Sequence, residues 1–201
     1  MTYFDRKRPA RRGSLLRGLL ICLLVGMAGA AQATVVTVAA LSNSSALGAG
    51  SGASTGIFLT LGDAFSVSVD EDDLWSAGVL PRWSNADGLD GPLFATGSDE
   101  SGQAAGTLIG QNFGFHTAFG LSEHFGTLVG SIGGQFFSIG TSFDGTAIST
   151  GELLLHYWDS NAADNADAVA ANIDVNVSVP APAAFLLVLL AGLVTLRRRS
   201  A

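Results

Sequence analysis

Apolar and polar positions alternate in Phe65-Ser66-Val67-Ser68-Val69 and again in Ile173-Asp174-Val175-Asn176-Val177. A period of two sends successive side chains to opposite faces, so each run predicts a strand with one buried face. Further strand-like runs cover 57–61, 74–77, 127–132, 135–139 and 152–158, and the second alternating run extends over 169–177. Residues 34–40 alternate more weakly and predict an edge strand. Gly and Asp separate many of these short runs, which predicts an all-β sandwich or jelly roll. Residues 41–55 are rich in Ser, Gly and Ala without a period and predict a loop or flexible stretch. Residues 81–125 are glycine-rich and poorly periodic, the kind of long loop that carries function or moves.

The two ends follow a different pattern. Arg6, Lys7, Arg8, Arg11, Arg12 and Arg17 precede an apolar stretch at 19–28, and small residues then lead to Ala31-Gln32-Ala33. That is the three-part layout of a secretory signal peptide over residues 1–33, with cleavage expected between Ala33 and Thr34. Arg11-Arg12 allows a twin-arginine route, but Ser14 stands where that route favours a bulky apolar residue, so ordinary secretion is the better match. The sole cysteine, Cys22, lies inside this leader, so the processed chain has no thiol for a disulfide or a Cys-based metal site. At the other end, Val179-Pro180-Ala181-Pro182 leads into an apolar run at 183–196 and then Arg197-Arg198-Arg199. As a helix this run is about 21 Å long, short for a hydrocarbon core of about 30 Å. The arginines would remain cytoplasmic and the acidic passenger would sit outside the inner membrane.

This Pro motif, apolar helix and basic end at 179–201 resemble the PEP-CTERM sorting signal in its VPxPA form. The resemblance rests on Val179, Pro180, Pro182 and Arg197, Arg198 and Arg199; Ala181 stands where the commonest form has Glu. It implies an exosortase-like membrane enzyme that reads the motif and removes the tail, after transient anchorage in the inner membrane.

Charge sharpens the picture of the passenger. Residues 34–178 carry 16 acids against one base, Arg82. Such a surface repels nucleic acid, which needs Lys and Arg against its phosphates. It attracts divalent cations, or simply keeps an exported protein soluble.

The densest oxygen-rich stretch is Asp159-Ser160-Asn161-Ala162-Ala163-Asp164-Asn165-Ala166-Asp167, between two predicted strands. Calcium takes six to eight oxygens from carboxylates, amides and carbonyls, which this turn offers if it folds back on itself. An Asx-rich turn hydrogen-bonded to its own backbone would have the same composition. The stretches 61–67, 74–78, 126–133 and 151–159, followed by Asp164-Asn165, resemble in order the calcium-dependent galactose-binding lectins of the PA-I type, over about 55–178. The resemblance implies a galactose-binding-like β-sandwich at 56–178, preceded by a flexible segment at 34–55. It also implies calcium held by Asp159, Asp164 and Asn165 with carbonyls near Ala77 and Ala163. Asp164 replaces the family's first Asn, Ala77 a Tyr, and the His-Pro-Asp-Gln sugar contact is missing. His116 falls in the corresponding loop.

Trp83, in the polar stretch after Pro81-Arg82, is the tryptophan best placed as a sugar platform, since Trp75 and Trp158 sit in strand patterns. Asp70-Glu71-Asp72-Asp73 reads as a solvated turn. No nucleophile elbow, P-loop or dinucleotide fingerprint stands in its required context. The expected protein is therefore a non-enzymatic cell-surface or extracellular-matrix component that binds exopolysaccharide, with calcium as candidate cofactor. The alternative is a purely structural component without a specific ligand.

Overall fold

The alternating run at 65–69 forms β3 (Ala64–Ser68), with Phe65 and Val67 buried and Ser68 exposed. The run at 169–177 forms β14 (Ala168–Asn176), burying Val169, Ala171 and Ile173. These strands pair antiparallel, Ile173 opposite Val67 and Val175 opposite Phe65, so both apolar sets face one side. The computed structural model describes residues 32–176, and in it β1 (Gln32–Ala39) and β12 (Ser142–Thr146) complete a four-stranded sheet in the order β1-β14-β3-β12.

A second antiparallel sheet contains β2 (Ala53–Leu59), β10 (Leu128–Ile132), β11 (Gln135–Ser138) and β13 (Gly151–Tyr157), in the order β11-β10-β13-β2. The two sheets share one core. Val38, Phe65, Val67 and Ile173 from the first pack with Leu59, Leu128, Ile132, Leu155 and Tyr157 from the second. Phe65 meets Phe137 edge-on across the gap, with ring centroids 6.0 Å apart. The molecule is therefore an all-β sandwich.

Residues 34–55, expected as a flexible lead-in, are instead part of the sandwich. β1 lies at a sheet edge and pairs with β14 along its whole length. The stretch at 41–55 contains a short 3-10 turn, Ser45–Leu47, capped by the Ser44 hydroxyl, which accepts from the Ala46 amide. Ser44 and Ser45 are buried because their hydroxyl and backbone groups have partners. β2 then starts at Ala53, ahead of the expected boundary at 56.

The central stretch at 81–125 is not one loop but a series of short hairpins. β4 (Trp75–Ser76) pairs with β5 (Trp83–Ser84), β6 (Leu93–Phe94) with β7 (Leu108–Gly110), and β8 (Phe115–Ala118) with β9 (Leu121–His124). A satellite cluster of Leu74, Ala95 and Ile109, with Trp83 and Leu93 against it, supports this region. The acidic run at 70–73 forms a turn: Asp70 accepts from the Asp72 amide, and Asp73 reaches across to the Ala170 amide.

Among the described residues no helix is long and apolar enough to cross a membrane. Ala31 of the expected cleavage signal lies outside the described residues, as do Val179, Pro180, Pro182 and Arg197, Arg198 and Arg199 of the expected sorting tail. Ala33 and Thr34 lie within β1, opposite Asp174 and Ile173, so a cut between them would leave 34–39 of that strand paired.

Candidate functional site

β13 carries Tyr157 into the core, edge-on to Trp75 at 4.6 Å, and the chain continues through Trp158 into the 159–167 turn. That turn is tied to β4 by reciprocal backbone bonds between Ser76 and Ala166, both 3.0 Å. The β4–β5 hairpin is closed on the same side by the Ala77 amide donating to the Arg82 carbonyl at 2.9 Å. Strand pairing thus brings together residues more than 80 positions apart. Ala77, Arg82, Asp159 and Asp164 line one cleft of about 200 Å³, with Phe113 and Phe125 among its walls.

Asp159 is fixed from behind by the N-terminal segment. Its amide donates to Ser45 Oγ at 3.0 Å, and Ser45 Oγ donates to its carbonyl at 2.9 Å. The Asp159 carboxylate accepts from the Ser160 amide at 2.6 Å. The residue is 4% exposed, and burial pushes its carboxyl above the usual range. Hydrogen bonds from Ser160, Asn161 and Asn165 oppose that shift, and the charge on Asp164 adds to it.

Asp164 approaches through a glycine. A Cβ on Gly78 would lie 2.6 Å from Asp164 Oδ2, and Gly78 holds φ +121°, a conformation that side chains rarely adopt. Asn161 Nδ2 donates to Asp164 Oδ1 at 2.6 Å, while Asn161 Oδ1 accepts from the Ala163 amide at 3.2 Å. Arg82 Nη1 lies 3.4 Å from Asp164 Oδ2 and 3.5 Å from the Ala77 carbonyl. Its guanidinium sits over the Phe113 ring, 4.9 Å from the centroid.

Asn165 is 6% exposed. Its Nδ2 donates to the Ala40 carbonyl at 3.1 Å, which sets the amide's orientation and leaves Oδ1 buried without a donor. A buried amide oxygen without a donor is the kind of ligand a hard cation takes, and the same side chain bonds to Asp159 through its nitrogen. Among the described residues no three His, Cys, Asp or Glu side chains are arranged to hold a metal. The set here is mixed, with two carboxylates, one amide and a carbonyl.

Of the residues singled out from sequence, Ala77, Asp159 and Asp164 share the cleft, and Asn165 is coupled to Asp159. Ala163 lines instead a neighbouring, more open depression of about 480 Å³ with Leu41, Ala46 and Leu47. Trp83 is half-buried against the satellite cluster, with its backbone carbonyl against Gly110. His116 packs on Phe125 and Trp158, with centroids 5.5 and 5.3 Å away. Neither Trp83 nor His116 lines the cleft. Sequence reasoning missed Arg82, Phe113 and Ser45 as parts of this region. The signal for Arg82 was present, since it is the one base in an acidic passenger.

A second polar pair lies on the other face of the same strand. His156 Nε2 and Ser131 Oγ are 2.9 Å apart, and the two residues are 0% and 2% exposed. Burial lowers the His156 pKa to about 4. The pair looks like a nucleophile and base, but both members are closed off from substrate.

No family model matches the chain, and no curated protein matches it. Among solved structures it is similar to one described as "EclA N-terminal domain; PllA-like lectin", at 16% identity and a TM-score of 0.47, over 71% of this chain and 96% of that one.

Proposed function

We propose that this sandwich is a non-catalytic carbohydrate-binding module of the galactose-binding-like type, with calcium held in the cleft between the β4–β5 hairpin and the 159–167 turn. The observation that carries this reading is the convergence of Ala77, Asp159 and Asp164 on one cleft, beside a buried Asn165 whose Oδ1 lacks a donor. The metal would be held by Asp159, Asp164 and Asn165, with the Ala77 carbonyl. A hard divalent cation offers open positions that hydroxyl oxygens can fill.

The chain's own residues supply the rest. Phe113, 38% exposed, and Phe125 line the cleft wall and give it apolar surface against which the C–H groups of a sugar could pack. Asn161 and Ser160 place polar groups at the same opening. Ser45 holds the backbone of Asp159 in place. In this reading the module acts at the cell surface or in the extracellular matrix on exopolysaccharide. It would be delivered by the N-terminal signal peptide and processed by an exosortase-like enzyme at the C-terminal motif.

The Arg82–Asp164 contact favours a second reading, a structural surface component in which one of the two cleft carboxylates is already paired from within. Thermal unfolding of the full-length protein in detergent, in chelator and then in millimolar calcium, separates the two. Binding to the folded state alone raises stability by about 2.7 kcal/mol at a hundred times Kd, and glycan titration follows. An unchanged midpoint sinks the calcium reading and leaves the structural one.

A further inference from the structure

Arg82 touches two of the four groups that the calcium reading needs, the Ala77 carbonyl and the Asp164 carboxylate. It is also the sole Lys or Arg in residues 34–178, against 16 acids. We propose that the Arg82 guanidinium is the cleft's built-in cation, which neutralises these oxygens in the metal-free protein and is displaced when a divalent cation binds. The inference rests on the calcium reading and adds to it a competitor that sets the affinity.

Three features make Arg82 a competitor and not a permanent bolt. It is tethered close by: Ala77 and Arg82 are joined by a backbone hydrogen bond across their hairpin, so its local concentration at the site is always high. Its hold is loose, because contacts of 3.4 and 3.5 Å are long for charge-assisted hydrogen bonds, which run at about 2.7–2.9 Å. It also has a contact that does not use these oxygens, since the Phe113 ring lies under the guanidinium in the same conformation. A side chain that swings away from Asp164 can keep that cation–π contact while the metal takes the oxygens.

Asn165 supplies the independent reason to expect a cation beyond Arg82. Its buried Oδ1 has no donor, Arg82 included, so the guanidinium satisfies only part of the oxygen set. A spherical cation with six to eight ligands can gather oxygens that a planar fork at the rim does not reach. Arg82 and Asp164 side chains are 36% and 41% exposed, so exchange between the two occupants needs no unfolding.

Calorimetric calcium titration of the full-length protein in detergent, wild type beside Arg82→Gln and Arg82→Lys, tests this. Arg82→Gln should bind calcium roughly three- to tenfold more tightly, as expected for releasing one partly exposed ion pair and its repulsion of the metal. Its melting midpoint in chelator should fall while its calcium-induced rise grows. Arg82→Lys, which keeps the charge but not the fork, should lie between. A response in Arg82→Gln with none in wild type supports the proposal in its strongest form. Equal or weaker affinity in Arg82→Gln overturns it while leaving the calcium reading intact. No binding by any of the three proteins overturns both.

Discussion

His156 and Asp159 stand three positions apart, and both are nearly inaccessible, at 0% and 4% exposure. Burial shifts both pKa values toward the neutral form, down for the histidine and up for the carboxyl. Their surroundings then diverge. His156 lies on the outer face of the β10–β13 pair, where Gly52 presses against its ring, Phe136 packs 5.0 Å away, and Ser131 is its one hydrogen-bond partner. Asp159 faces a cleft that contains a second carboxylate and a guanidinium. Burial without a counter-charge makes a titratable group an inert part of the packing. Burial at the lip of a cleft, beside a second carboxylate, raises the carboxyl's pKa in the same way but leaves its oxygens where a bound cation would restore the charge.

The comparison breaks most visibly under acid. The folded pKa of His156 lies near 4, below the ordinary 6.5, so the unfolded chain takes up its proton first. The stability tied to keeping it neutral is complete above 6.5 and is lost as pH falls toward 4, a loss of about 3 kcal/mol. Asp159 has the opposite sign: its raised pKa favours the folded state at low pH and costs stability as pH rises through it. Denaturant unfolding at a series of pH values should therefore show the His156 loss, and His156→Gln should flatten it. A flat wild-type profile between 6.5 and 4 would mean that the histidine is not held neutral.

Asp159→Asn sharpens the other side of the contrast. Removing the buried charge should leave the chelator melting midpoint no lower than wild type, and should abolish the calcium-dependent gain of about 2.7 kcal/mol. A retained calcium shift would place the metal elsewhere.

The smallest effect is expected at Gly78. Gly78→Ala adds a methyl against Asp164 at a positive φ, costing about 1–2 kcal/mol and weakening calcium binding by moving that carboxylate. Calcium titration and thermal unfolding of this variant would both change. An unaltered affinity would show that the Asp164 position is not critical.

Much of the sandwich was legible because its strands bury one face. Phe65 and Val67, or Ile173 and Val175, announce β3 and β14 by period alone. β12 was missed because it is an edge strand with Phe143 as its sole large apolar side chain and a glycine within it. The 41–55 stretch read as a loop because its serines are buried through hydrogen bonds, to Asp159 among others, and not through hydrophobicity. The oxygen-rich turn at 159–167 was visible, but not its neighbour across the hairpin. Arg82 was conspicuous as a charge and silent as a contact.

By itself the sequence determined the all-β class, the main strand runs, the acidic character of the passenger and the candidate oxygen donors, since each follows from local period or composition. Tertiary structure alone decided that Ser45 holds Asp159, that Asn165 keeps an oxygen without a donor, and that Arg82 reaches Asp164 across 82 positions of chain. Those contacts depend on which strands pair and in what register, and pairing is set by burying the whole core at once, not by any one segment.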